Sequence, residues 1–267
     1  MLAPAMTPPP PAPGFSWMPA PWGLQLSADA LQPFVHGWTT RQLPLRISST
    51  EPSERWDLVA EASGVVAESV IRLKQVHGAT LHRASKADAG GALAEADLVF
   101  AEDSALVIAV QAADCVPLLL GDAGSGRVIA AHAGWRGTAA DVAGVAASAL
   151  VDAQASADRL TAAIGPSIGP CCYRVGPELV ERFRESGWST GETDAWFIQR
   201  SGDWYLDLWQ ANADQLARRG VPRDAIHASR LCTSCQAAWF PSYRRDGPSA
   251  GRLAGYIRPA SPATKTS

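Results

Sequence analysis

The sequence predicts an α+β fold, a single layered domain in which mixed β-sheets are flanked by helices. Three observations predict it. Short apolar runs of strand length alternate with alanine-rich stretches of helical spacing; the two element types follow no strict strand–helix–strand period; and no segment repeats another. With 267 residues, 47% of them hydrophobic, the chain can bury one sizeable core.

The first 13 residues hold Pro4, Pro8, Pro9, Pro10, Pro11 and Pro13, too many for a packed element, so residues 1–20 are expected to be a disordered proline-rich extension. Residues 21–257 form the expected catalytic domain, and residues 258–267, polar and broken by Pro259 and Pro262, a flexible tail. Val70 to Leu73, Ala105 to Ala112, Val116 to Leu120 and Val128 to Ala131 have strand length and composition. Thr138 to Gln154 is expected as one helix, with Thr138 as its cap and alanine and leucine filling it. A strand at Leu160 to Ile164 and a helix at Pro177 to Ser186 follow. Trp204 to Arg219 is expected as a helix beginning near Asp207, and Ala237 to Tyr243 and Arg252 to Ile257 as closing strands.

Net charge is −3 and the basic residues are scattered, which points away from nucleic-acid and membrane partners. No apolar run approaches the roughly 20 residues that span a bilayer, and without a basic stretch followed by an apolar one near the first residues a secretory signal is not expected. Five cysteines without disulfide-framework spacing fit the cytoplasm.

Three short segments each offer one ligand of the type zinc prefers. They are Lys74-Gln75-Val76-His77-Gly78, Ala112-Ala113-Asp114-Cys115 and Ala131-His132-Ala133-Gly134-Trp135-Arg136-Gly137-Thr138. Two imidazoles and one thiolate leave a tetrahedral ion one open position, which distinguishes a catalytic metal from a structural one. Copper is the competing ion, since it too takes nitrogen and sulfur. The three residues lie far apart in sequence, so spacing alone favours a buried cysteine and two satisfied histidines; the surrounding motifs shift that balance. Asp114 is either a carboxylate supporting the metal and carrying protons or a turn residue between strands. Gly134 to Thr138 bends into a helix start where free backbone N–H groups and Arg136 would attract an anion, against the plainer reading of a glycine-rich turn. Gln75 and Arg244 join the expected substrate- and phosphate-binding set. Arg244 and Arg245 beside Asp246 form an ion-paired turn or an anion-binding corner. Ile164 to Tyr173, rich in glycine and proline, is expected to be a cleft wall. Cys232-Thr-Ser-Cys235 is a CxxC that lacks the second half of a zinc site, and is expected to be structural or incidental.

The segments KQVHG, QAADCVPLLL, AAHAGWRGT, AIGPSIGPCCY and CTSCQAAWFPSYRRDGPSAGRLAGYI resemble those of the bacterial polyphenol-oxidase/laccase-domain family. That family is also described as purine nucleoside phosphorylases, and one branch is called the peptidoglycan editing factor. The resemblance spans about residues 70 to 257 and implies a metal held by His77, Cys115 and His132. It also implies phosphorolysis of adenosine, inosine and methylthioadenosine, with adenosine deaminase activity, so that purine nucleoside and phosphate are the expected partners. The chain departs from family habit at Gln42 to Ser49, which lacks a Gly-Gly-Val-Ser-like stretch, and at Arg174, where relatives carry glutamate. Three rival functions differ in class: a precursor-editing hydrolase using Cys115 as nucleophile with a histidine base, a copper phenol oxidase, and a non-catalytic binding module stapled by zinc. The last requires a fourth protein ligand, for which Cys232 and Cys235 are the candidates.

Overall fold

The computed structural model describes residues 7–46 and 55–260. Two six-stranded mixed sheets pack face to face. The first runs Phe15–Ala20, Gly23–Ala28, Val35–Trp38, Leu253–Arg258, Val107–Ala112, Val70–Ile71, antiparallel except for its last pair. The second runs Ile226–Ala228, Leu160–Ile164, Val116–Asp122, Arg127–Ala133, Leu98–Ala101, Leu81–Arg83, antiparallel in the middle and parallel at both edges.

Side-chain alternation explains the layers. Along Val107–Ala112, Ile108 and Val110 enter the core between the sheets, while Val107 and Ala109 pack outward with Trp56 and Val59 of the Trp56–Ser63 helix. Along Arg127–Ala133, Val128 and Ala130 face the first sheet, whereas Ile129 and Ala131 meet the Val142–Asp152 and Leu208–Arg218 helices. Strands buried on both faces show no polar alternation, which is why their sequences read as continuous apolar runs. The resulting order is helix, sheet, sheet, helices, with seven α-helices among the described residues, and the expected layered α+β architecture is the observed one. None of these helices is long and apolar enough to cross a membrane.

Five expectations need correction. Phe15–Ala20, assigned to the disordered extension, is an edge strand paired along its length with Gly23–Ala28. An edge tolerates Pro19, whose missing N–H faces away from the ladder, and the preceding segment is held by Trp17 Nε1 donating to the Pro9 carbonyl at 2.9 Å. The helix placed at Thr138 to Gln154 is two helices, Trp135–Ala139 and Val142–Asp152, broken where Asp141 adopts φ 61°. Thr138 therefore caps nothing. Trp204 to Leu206 belongs to the strand Asp203–Leu206, and the helix starts at Leu208, capped by Asp207 accepting from the Gln210 amide at 3.0 Å. Ala237 to Tyr243 is no strand: after a turn, Ser242 caps a short helix at Tyr243–Asp246. Of the expected tail, Arg258 ends a strand and the Ala260 amide bonds Gly126. Residues 47–49 of the departing segment and 261–267 of the tail lie outside the described residues.

Candidate metal centre

Ladder register brings the three expected ligands together. Val116 pairs with Ala133 in the antiparallel ladder, so Cys115 and Gly134, one step beyond, face each other. A methyl at Gly134 would lie 2.8 Å from Cys115 Sγ and 3.4 Å from His77 Cδ2; glycine is required because the sulfur occupies that space. Ala131 pairs with Leu98, and the ladder continues with the His132 amide donating to the Asp97 carbonyl at 2.8 Å. That step places His132 beside the Asp97 side chain.

Asp97 is the organising residue, and sequence reasoning missed it. Its carboxylate is fully buried and accepts from the His77 amide at 2.9 Å and from the amides of Gly78 at 2.6 Å and Val76 at 3.3 Å. It also accepts from His132 Nδ1 at 2.9 Å. Four donors use the full accepting capacity of one carboxylate. They hold the His77 turn, whose φ of 62° is left-handed, and they fix His132 as the tautomer whose Nε2 is free to ligate. Burial works against ionisation of Asp97, but the His132 hydrogen bond and the Gly78 amide outweigh it and hold the carboxyl below its usual range.

Ligand atoms of His77, Cys115 and His132 lie within 4.8 Å of one another, and the two imidazoles meet edge to face at 4.9 Å. Burial alone would raise the Cys115 thiol and lower the His132 imidazole. The charge of each acts on the other and reverses both shifts, taking Cys115 down to about 6 and His132 up to about 9. The protein thus favours a thiolate here, the form that binds a metal. The donor set fits a zinc or copper ion: bonds of about 2.0–2.3 Å put tetrahedral ligand atoms roughly 3.3–3.8 Å apart, a spacing compatible with the 4.8 Å within which these three lie. His132 carries the carboxylate partner that ligating histidines ordinarily have. Cys232 and Cys235 group with other cysteines and not with this set, so among the described residues three protein ligands stand here and no fourth.

The set opens into a cavity of about 610 Å³ lined by Gln75, Asp114, Trp135, Arg136, Tyr173, Tyr243, Arg244 and Arg252, with Ile168 and Leu208 as apolar wall. Not every expected residue is free within it. Both amide atoms of Gln75 are bonded to the backbone of Gln111, at 2.8 and 2.7 Å. Asp114, at φ 92°, accepts from the Thr233 hydroxyl at 2.7 Å and the Arg244 amide at 2.6 Å, and its carbonyl accepts from Ile168; it ties three segments of the wall together. Arg244 donates to the carbonyls of Arg174 and Cys172. Arg136 lies over the Trp135 ring at 4.4 Å. Thr138 is fully buried, its hydroxyl accepting from Asn212 at 3.2 Å, and it does not line the cavity. The helix that follows Gly134, Trp135–Ala139, is five residues long, so the expected helix-terminal anion site reduces to the Arg136 side chain. The expected cleft wall at Ile164 to Tyr173 supplies Ile168 and Tyr173 to the lining, whereas sequence reasoning missed Arg252. Burial, then the Cys115 charge, push the Tyr173 phenol well above its usual range, so it stays a hydrogen-bond donor at neutral pH.

The close approach at Gly134 makes a direct prediction. Gly134→Ala is expected to keep the fold, because φ there is an ordinary −79°, yet to displace Cys115 Sγ from the imidazoles. Occupancy of the cavity site should fall below half of wild type with a melting temperature within a few degrees; full occupancy of that site would show that the sulfur does not need that space.

A family model described as multi-copper polyphenol oxidoreductase laccase matches residues 50–259. Purine nucleoside phosphorylase YlmD of Geobacillus stearothermophilus is 37% identical over 193 residues, 69% of this chain and 70% of that protein. Adenosine deaminase RL5, from an unknown prokaryotic organism, is 37% identical over 164 residues, 60% of this chain and 61% of its own length. The crystal structure of YlmD from Geobacillus stearothermophilus superposes with a TM-score of 0.81 at 30% identity, covering 89% of this chain and 96% of that one.

Proposed function

We propose that this chain, which belongs to the multi-copper polyphenol oxidoreductase laccase family, is a zinc-dependent purine nucleoside phosphorylase that also deaminates adenosine. One observation carries the reading: two imidazoles and a thiolate converge at the wall of a cavity that also presents aromatic rings and unpaired guanidinium. The names of its relatives, purine nucleoside phosphorylase and adenosine deaminase, support the same substrate class.

His77, Cys115 and His132 would hold the ion. Bound there, zinc would supply Lewis acidity to a water or a substrate oxygen. The chain's own residues do the rest. Tyr173, Tyr243 and Trp135, with Ile168 and Leu208, offer the flat apolar surface a purine needs. Arg136 has no carboxylate partner among the described residues, and a second concavity shares it with Arg174, Arg182 and Arg244. Phosphate is a dianion with oxygens suited to such forks. Held there, it is positioned for the anomeric carbon and its charge complements the developing oxocarbenium character. The Tyr173 phenol, protonated at neutral pH, can donate to the departing base. Asp114 has both carboxylate oxygens occupied, so its part is to hold Arg244 and the Thr233 segment in place, and proton transfer through it would first require breaking one of those bonds.

A multi-copper oxidase is less suited to this donor set. Reducing oxygen by four electrons needs several copper ions held close together, and the chain has five histidines. His36 is engaged with Ser27 and the Phe34 carbonyl, and His82 with Asp88.

The test is incubation of purified protein with adenosine, inosine and methylthioadenosine, with and without inorganic phosphate, following base and sugar phosphate. Phosphate-dependent release of base is expected. Arg136→Ala should raise the KM for phosphate about 10–100-fold, the worth of one or two charge-assisted hydrogen bonds, and the KM for nucleoside by less than about 3-fold. Equal losses for both substrates would remove the phosphate assignment. A second reading is favoured by the charge state of the free site: Cys115 as thiolate beside a protonated His132 is also the resting form of a cysteine hydrolase.

A further inference from the structure

We infer that the chain carries a second metal site, a structural zinc held by Cys171, Cys172, Cys232 and Cys235. It is separate from the cavity ligands and independent of the proposed reaction. The CxxC that lacked a second half in sequence finds it in the vicinal pair Cys171-Cys172, some 60 residues upstream.

Four observations support it. The four sulfurs lie within 4.8 Å of one another. Cys235 Sγ is 3.6 Å from Cys171 Sγ and 3.4 Å from Cys172 Sγ. Four zinc–sulfur bonds of about 2.3 Å in a tetrahedron set sulfurs roughly 3.8 Å apart, so the cluster already has nearly the size of a filled site. A disulfide would draw one pair to about 2.05 Å, whereas Cys235 stands almost equidistant from two sulfurs. The second observation is backbone support: the Gly169 amide donates to Cys232 Sγ at 3.3 Å, the kind of N–H to sulfur bond that steadies a thiolate ligand.

Charge is the third. Four thiols binding Zn2+ release four protons and leave a net charge of −2. Two guanidinium groups sit on the backbone that carries the ligands. Arg245, whose guanidinium also pairs with Asp246, donates to the carbonyls of Thr233 at 2.8 Å and Ser234 at 3.0 Å, inside the CxxC turn. Arg200 donates to the Pro170 carbonyl, immediately before Cys171. The fourth is position. Cys232 is buried while Cys171 and Cys235 are exposed, as expected of a staple joining two loops at the surface. Cys172 directly precedes the cavity residue Tyr173, and the Thr233 hydroxyl holds Asp114. The ion would therefore fasten the Ile164 to Tyr173 wall to the loop that carries Tyr243 and Arg244. Vicinal cysteines plus a CxxC offer all four ligands from two segments, so no further element is needed.

Metal counting on the full chain, purified under reducing conditions and loaded with zinc alone, tests this. Wild type should hold two zinc ions per chain. Cys115→Ala should hold one, and its X-ray absorption edge should show four sulfur neighbours at about 2.3 Å. Exposed Cys235→Ser should also hold one ion, with a mixed nitrogen–sulfur shell, and should melt at a lower temperature than wild type. Cobalt in place of zinc in the Cys115→Ala protein should give the intense thiolate-to-cobalt bands of a four-sulfur site. If the cavity ligands bind no metal, wild type and Cys115→Ala both hold one ion and Cys235→Ser none; the inference then stands while the proposed function falls. A Cys115→Ala protein without zinc and with four titratable thiols overturns it. So does a mass four hydrogens light in the protein as isolated from cells without added reductant, which would mean two disulfides.

Discussion

Cys115→Ala is expected to strip the cavity site of its ion and to lower phosphorolysis by more than about 100-fold. The size follows from comparison: losing a residue that merely orients a ligand ordinarily costs about 10–100-fold in metal affinity or activity, and Cys115 is a ligand itself. Two imidazoles alone bind zinc less tightly than the set with a thiolate, and the alanine leaves the cavity side of His132 without its negative partner. The variant should fold, because Cys115 lies at the cavity edge rather than within the sandwich. Activity loss in this variant does not by itself separate the metal reading from the cysteine-hydrolase reading, since both need the sulfur. Wild-type protein treated with a chelator separates them. The metal reading expects an inactive protein restored by zinc; the hydrolase reading expects an active protein that iodoacetamide silences. Activity that survives complete removal of metal would end the zinc assignment.

How much of this site was visible before the fold depends on the kind of information each residue carries. His77, Cys115 and His132 could be picked out because imidazole and thiolate announce their chemistry and because each sits in a distinctive motif, KQVHG, QAADC or AAHAGWRGT. Their convergence could not be read from spacing; it comes from ladder register, which pairs Val116 with Ala133 and Ala131 with Leu98. Asp97 was missed for the same reason. In Glu95-Ala96-Asp97-Leu98 it is one acid among several, and only the pairing of Leu98–Ala101 with Arg127–Ala133 sets it beside His132. The available signal was positional: an acidic residue immediately before a strand buried on both faces, where an unpartnered charge would be costly.

The misread elements have local causes. Prolines dominated the reading of the N-terminus, yet Pro19 sits on an edge strand where its lack of a donor does no harm. Trp204-Tyr205-Leu206 satisfies helical and extended patterns equally over three residues, and pairing with Phe197–Arg200 decides it. Thr138 looked like a cap because threonine favours that position, but Gly134 starts the helix earlier and Thr138 is drawn inside to meet Asn212 and Gln215. The vicinal cysteines illustrate the general limit. Cys171-Cys172 and the CxxC are each uninformative alone, and only tertiary contact makes them a four-sulfur set.

Asp97→Asn should show how far the metal centre depends on a residue that never touches the ion. The substitution keeps size and shape but converts one accepting oxygen into a donor. Oδ1 accepts from the His77 amide and His132 Nδ1, and Oδ2 from the amides of Val76 and Gly78. Whichever way the new amide sits, its NH2 faces two N–H groups. Placed toward His132, it drives the imidazole to carry its proton on Nε2, the nitrogen needed for ligation. Placed toward Gly78, it releases the turn that holds His77 at φ 62°. Both orientations damage the same site, so no relaxed arrangement of the side chain rescues it. The zinc dissociation constant should rise about 10–100-fold, measured by competition with a chromophoric chelator. Stability of the metal-free protein should fall by about 1–3 kcal/mol, the cost of leaving buried donors unsatisfied, with no change in the X-ray absorption of the four-cysteine site. An Asp97→Asn protein that binds zinc as tightly as wild type would mean that the three ligands are organised by the ion alone.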